Sequence, residues 1–168
     1  MIMRKVMLTL FALFTISFLT SCSSDSDSVN SNTPIADATA KNYNHSSFEL
    51  ELLDLINEYR VNNGLNALTI IEHISHVCAG HDDYMIEINE VNHDNFNERT
   101  LNMQQVLGAV RVGENVAYGF STPQAVLNAW IESDSHRANL EGNYTHFGIA
   151  VKDNLEGRKY YTNLFIKK

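Results

Sequence analysis

Seven histidines and two cysteines are the side chains of this chain best suited to metal binding or nucleophilic chemistry. His73, His76, Cys78 and His81 crowd into one short stretch. On a helix His73 and His76 share a face, but His76 and His81 point about 140° apart at 3.6 residues per turn, so the cluster does not converge on one ion. His81 is expected to be a partly buried helix residue. Cys78 lies on the apolar side beside Ala79, without the exposure and polarising partner of a reactive thiolate, and is expected to be an inert core thiol. No Gly-x-Ser-x-Gly, His-Glu-x-x-His or phosphate-loop pattern occurs, which removes support for a serine hydrolase, an ordinary zinc protease and a nucleotide enzyme. Three polar motifs remain: His93 with Phe96 and Arg99, then Gly113-Glu114-Asn115-Val116-Ala117, then Trp130 leading through Ser133 to His136-Arg137-Ala138-Asn139-Leu140. Neutral imidazoles beside a carboxylate bind a divalent ion such as zinc, and a carboxylate that raises an imidazole pKa makes a general acid or base. Glu114 and Asn115 also have a structural reading, in which they bond to backbone and close a loop.

The elements that position these motifs follow from local pattern. Ser46 and Glu49 fit a capping box, and Phe48, Leu52, Leu55, Ile56 and Tyr59 recur at helical steps, so a helix is expected to about Asn62, ended by Gly64. A second helix is expected from about Ile70 to Asn89, and a weaker third from about Glu98 to Leu107. Thr122-Pro123 opens another, to about Glu132, with Trp130 in the core. Arg137 and Asn139 read as loop-fixing residues of a polar turn. Thr145–Lys152 and Tyr160–Lys167 are β-branched and aromatic around Asp153-Asn154-Leu155-Glu156-Gly157, a hairpin, and short extra strands are expected near Val110 and Val116. Helices first and paired strands last predict an α+β domain in which helices cover an antiparallel sheet.

In their order and spacing the three motifs, continued by Thr145-His146-Phe147-Gly148-Ile149-Ala150 and Tyr161-Thr162-Asn163-Leu164-Phe165, resemble the bacterial branch of the CAP superfamily, whose domains are also called SCP domains. The likeness runs from about Leu50 to Phe165. It implies a three-layer α-β-α sandwich with a small antiparallel sheet. It also implies a cleft where two histidines and acidic residues converge, here His93, Glu114 and His136, with His93 and His136 as the candidate metal ligands. The family's usual fourth residue, a glutamate, falls on Ser133, between Glu132 and Asp134; Asp134 is taken as its stand-in.

The N-terminus carries a different chemistry. Arg4 and Lys5 precede a run from Val6 to Leu19 almost free of polar groups, the layout of a signal peptide and too short for a comfortable span of about 20 residues. Leu19-Thr20-Ser21-Cys22 resembles a bacterial lipobox, so residues 1–21 are expected to be removed and Cys22 lipidated. Several acyl chains on one terminus make a stable anchor. Residues 22–45, rich in Ser, Asn, Asp and Thr, are expected to be a flexible tether, and residues 46–168 a single domain. Loss of Arg4 and Lys5 leaves ten basic against twenty acidic residues, a formal charge of −10, which disfavours nucleic acid as a partner. With Cys22 acylated, Cys78 has no cysteine left to pair with.

The combined expectation is an extracytoplasmic lipoprotein, held at the bacterial envelope and in particular the outer membrane. Its cleft is expected to bind a divalent metal such as zinc, or a small apolar, lipid, envelope or protein ligand. The competing expectations are a zinc-dependent envelope hydrolase built on His93, Glu114 and His136, and a structural lipoprotein with a vestigial site.

Overall fold

Helix α1 (Ser47–Asn62) starts at a closed capping box. The Ser46 hydroxyl accepts from the Glu49 N–H at 3.3 Å, and the Glu49 carboxylate accepts from the Ser46 N–H at 2.7 Å. Glu49 is nonetheless buried. Its other oxygen accepts from the Val151 N–H at 2.8 Å and the Tyr43 hydroxyl at 2.7 Å, so the residue that begins the helix also ties it to the sheet. Leu52, Leu53 and Ile56 are fully buried along one stripe, each contributing about 1.5–3 kcal/mol. Arg60 is buried at the far end, where it donates to the carbonyls of Leu140 at 2.6 Å, Asn66 at 2.9 Å and Gly142 at 3.0 Å.

The computed structural model describes residues 39–168. The expected signal peptide, Cys22 and the tether as far as residue 38 lie outside the described residues. The end of the expected tether is part of the domain: the Lys41 N–H donates to His73 Nδ1 at 3.0 Å, the Tyr43 N–H to Glu72 at 3.3 Å, and His45 bonds Ser75 at 2.8 Å. The domain's contacts therefore begin before residue 46, because backbone groups of this polar stretch find partners on the next helix.

β1 (Thr69–Ile70) pairs in parallel with His146 and Phe147, which delays the second helix, α2, to Glu72–Ile88. α3 spans Phe96–Leu107 and is closed by Gly108 at φ 70°, a left-handed conformation that glycine adopts without strain. β2 (Arg111–Tyr118) is one continuous strand where short pieces were expected near Val110 and Val116. α4 is Pro123–Glu132, capped by Thr122. The expected polar turn around Arg137 and Asn139 is a short helix, α5 (Asp134–Leu140). β3 (His146–Asp153) and β4 (Lys159–Lys167) form the hairpin.

The sheet order is β1-β3-β4-β2, with β3, β4 and β2 antiparallel. The expected antiparallel sheet is thus mixed, since β1 joins its edge in parallel. One face, through Phe147, Ile149, Tyr161 and Phe165, packs on α1, α4 and α5 by way of Leu52, Ile56, Val126, Trp130 and Leu140. On the other, Ala150, Leu164 and Ile166 meet Ile74 and Cys78 of α2 and Met103 of α3. The three-layer α-β-α sandwich follows from strand alternation. A Cβ on Gly148 would lie 2.7 Å from the Ser75 backbone nitrogen, so glycine is what lets α2 lie against β3.

Candidate functional site

β2 sends successive side chains to opposite faces of the sheet, and its polar centre feeds two separate networks. Glu114 points toward α2 and α3. Its carboxylate takes a two-point bond from Arg99, Nε to Oε2 at 2.6 Å and Nη2 to Oε1 at 2.7 Å, while Oε1 also meets His93 Nδ1 at 2.7 Å. The Glu114 and Arg99 side chains are 2% and 8% exposed, whereas that of His93 is 51% exposed. A paired fork of this kind gives both geometry and charge compensation. Burial pushes the Glu114 pKa up, but the hydrogen bonds from His93 and Arg99 and the Arg99 charge outweigh it and hold the carboxyl below its ordinary value. As a carboxylate it only accepts, so a neutral His93 donates from Nδ1 and leaves the Nε2 lone pair free.

Asn115 points the other way, toward α5. Its Nδ2 donates to the His136 carbonyl at 3.1 Å, and Asn139 Nδ2 donates to Asn115 Oδ1 at 2.9 Å and to the Glu114 carbonyl at 2.8 Å. A side chain on Gly113 would overlap the Tyr144 hydroxyl and Asn139. Trp130 Nε1 donates to the Val116 carbonyl at 3.1 Å, so this tryptophan is core and also a clamp on the sheet edge. Together these bonds seat α5 and so place His136 by its backbone. Its ring is half-buried, and neither ring nitrogen is hydrogen-bonded within the described residues. Burial, and then the proximity of His93, lower its pKa, which keeps the imidazole neutral and its lone pair available.

The structure therefore bonds His93 to Glu114 and sets His136 near enough for His93 to influence it. Asp134 does not join them. Its side chain is 93% exposed and accepts from Arg137 Nη2 at 2.5 Å. Arg137 also donates to the Ile131 carbonyl at 2.8 Å, fixing the α4–α5 junction. Ser133 is the residue shared by the end of α4 and the start of α5. Among the described residues no group of three or more His, Cys, Asp or Glu side chains is arranged to hold a metal ion. One depression is lined by His93, Asp94, Asn95, Phe96, Asn97 and Glu98, and a neighbouring one that shares Asn95 and Glu98 is lined by Val77, Gly80, His81, Tyr84 and Arg99; His136 lines neither. Cys78 is buried, which pushes its thiol well up in pKa and leaves it unreactive.

Sequence patterning did not single out His81 as a site residue. It is 3% exposed on α2 and bonds Arg99 at 3.1 Å and the Asn92 carbonyl at 2.9 Å. Both contacts are tertiary, so no local spacing signals them.

Residues 53–165 match the family model for the cysteine-rich secretory protein family, CAP. Over 130 residues, 71% of this chain, it is 35% identical to the uncharacterized membrane protein YlbC of Bacillus subtilis, and over 127 residues, 73% of the chain, 32% identical to the uncharacterized protein YkwD of the same organism. The chain spans only 34% and 48% of the lengths of those relatives. An extracellular protein containing an SCP domain from Bacillus anthracis aligns with TM-score 0.62 and 31% identity, covering 71% of this chain and 40% of that one. An outer surface protein of Borrelia burgdorferi shares the fold at TM-score 0.62 and 24% identity, covering 71% of this chain and 91% of that one. No helix among the described residues is long and apolar enough to cross a membrane. A family match that takes in the His93 loop, the Gly113-Glu114-Asn115 strand and α5, on a fold shared with SCP-domain structures, makes this chain a member of the CAP family of cysteine-rich secretory proteins.

Proposed function

We propose that this protein is a lipid-anchored CAP module outside the cytoplasm, attached through Cys22 to the envelope and in particular the outer membrane, which binds a ligand across His93 and His136. One observation carries the reading of the site: His93 is half-exposed, yet its Nδ1 is held by a buried, arginine-paired carboxylate, so Nε2 is turned away from Glu114 and has no hydrogen bond among the described residues, while burial and the nearby His93 lower the pKa of His136. The depression at His93 sets Asp94, Asn97 and Glu98 beside Phe96, and the neighbouring one adds Val77 and Tyr84, a mixed lining that suits an envelope component with both polar and apolar parts. The anchor is supported by the Leu19-Thr20-Ser21-Cys22 motif and by relatives described as membrane, extracellular and outer surface proteins.

The residues present do not make a resident zinc centre by themselves. A catalytic zinc site takes three ligands from protein, and here two imidazoles are on offer, with both Glu114 oxygens engaged and Asp134 paired to Arg137. Two imidazoles with water would hold a divalent ion only weakly, and tight binding would need further donors brought by the ligand. The second reading, an envelope hydrolase, is favoured by the His93–Glu114 pair, in which a carboxylate orients an imidazole as in a general base.

The test is chemical-shift mapping of the 15N-labelled full chain titrated with solubilised envelope fractions. Shifts centred on His93, His136 and Asn139, lost on His136→Ala, support the binding module. Turnover of an envelope substrate that disappears in a folded His136→Ala variant supports the hydrolase. Shifts confined to other surfaces contradict both, and leave the structural-lipoprotein reading. For the anchor, Cys22→Ser is expected to release the protein from the membrane fraction; retention there would contradict lipidation at that residue.

A further inference from the structure

His93 is held from three directions, and two of them lead back to His81. The carbonyl before it, that of Asn92, bonds His81 Nε2 at 2.9 Å; the carbonyl after it, that of Asp94, accepts from Arg99 Nη1 at 2.7 Å; and its own ring meets Glu114. Arg99 Nη1 also reaches His81 Nδ1 at 3.1 Å. A guanidinium has no acceptor, so His81 Nδ1 must accept, which places the His81 proton on Nε2, where it donates to Asn92. The two histidines are therefore opposite tautomers: His81 carries its proton on Nε2, and His93 on Nδ1 toward Glu114. The His81 ring is stacked on Tyr84 with centroids 5.9 Å apart and planes 15° apart, so it has little freedom to turn.

We infer that His81 is a positioning residue for the His93 site: it seats the Asn92 carbonyl and, by accepting from Arg99, orients the guanidinium that presents Glu114 to His93. Without it, a buried Arg99 N–H loses its acceptor, and a buried donor left unpaired reorganises or costs stability. Arg99 holds Glu114 and Asp94 with the same planar group, so rotation to recover a bond disturbs the other contacts of His93. The inference rests on the reading of His93 as the ligand-facing imidazole.

The experiment reads the tautomers directly, on the ligand-free full chain with 15N-labelled histidine, by long-range 1H–15N spectra at pH 8. The wild type is expected to show two opposed single-tautomer patterns, Nδ1–H for His93 and Nε2–H for His81. His81→Phe keeps the ring volume and the stacking on Tyr84 but loses both bonds, and is expected to replace the His93 pattern by exchange-averaged shifts. His81→Asn places an amide oxygen near the site of Nδ1 and is expected to restore the Nδ1–H pattern, whereas His81→Gln, which mimics Nε2, is not. An unchanged His93 pattern in folded His81→Phe overturns the inference. Should that variant fail to fold, identical His93 patterns in His81→Asn and His81→Gln overturn it equally. The binding reading fails separately, if His93→Ala and the wild type take up zinc alike, because the tautomer measurement contains no ligand.

Discussion

The two faces of β2 treat their polar residues in opposite ways. Toward α2 and α3, Glu114, Arg99 and His81 form a buried ionic network that grips the His93 side chain and its loop. Toward α5, the neutral amides of Asn115 and Asn139 hold His136 only by its carbonyl and leave the ring unbonded within the described residues. One imidazole is fixed in tautomer and direction, and the other can turn about its own side-chain bonds. A rigid donor beside an adjustable one suits recognition of a ligand, whose exact shape the second ring can follow.

Breaking the ionic face has the largest expected effect. Glu114→Ala leaves Arg99 buried without its counter-ion, and removing one partner of a buried pair costs about 3–5 kcal/mol; chemical denaturation of the full chain measures it. The pH dependence follows from the same pair. The Glu114 pKa is depressed in the fold, so its contribution is present above the unfolded value of about 4.3 and is lost as pH falls through the lower folded value. Glu114→Gln is expected to flatten stability in that acid range. Breaking the neutral face is milder: Asn139→Ala removes the donor to the Glu114 carbonyl and to Asn115, at about 1–3 kcal/mol, and moves the His136 ring signals more than those of His93. A loss as large as that of Glu114→Ala would mean that the two faces are not distinct in kind.

A second buried carboxyl sharpens the contrast. Asp82 on α2 accepts from the Thr162 hydroxyl at 2.5 Å, but its Oδ2 has no hydrogen-bond partner among the described residues. Burial raises its pKa, more than Thr162 and the Lys152 charge lower it, with Glu49 and Asp83 adding to the rise. The sign is therefore opposite to that of Glu114: its stabilising contribution is full below the unfolded value of about 3.9 and is lost as pH rises toward the folded value. Asp82→Asn is expected to raise the midpoint of thermal unfolding at pH 7 and leave it near wild type at pH 4; a lower midpoint at pH 7 would contradict a destabilising buried carboxyl. The smallest effect is expected from Asp134→Ala, whose exposed pair with Arg137 belongs to a class that contributes little, so the denaturation midpoint should not move measurably.

Much of the fold was legible because local chemistry announces it. The Ser46–Glu49 box, the Thr122-Pro123 start and the two β-branched runs of the hairpin gave α1, α4, β3 and β4 within a residue or two. β2 was blurred because Gly113, Glu114 and Asn115 interrupt an apolar pattern for tertiary reasons. α5 is too short and polar to show periodicity, and β1 forms only because β3 is there to pair with it. Of the site, His93 and Glu114 lie 21 residues apart, so nothing in their spacing brings them together and only the resemblance to the CAP family did. Arg60, Glu49 and His81 were invisible as buried polar anchors, since the carbonyls, amides and guanidinium they meet belong to other elements.

The most direct measurement is a zinc titration of the full chain, followed by calorimetry and by histidine ring resonances, with zinc as a probe for adjacent imidazoles. Weak one-to-one binding is expected that moves the ring signals of His93 and His136, leaves those of His45, His73, His76 and His146 in place, and vanishes in the His93→Ala/His136→Ala double variant. Binding that survives the double substitution, or a folded wild-type chain that takes up no zinc, would contradict the claim that the two rings face one ligand.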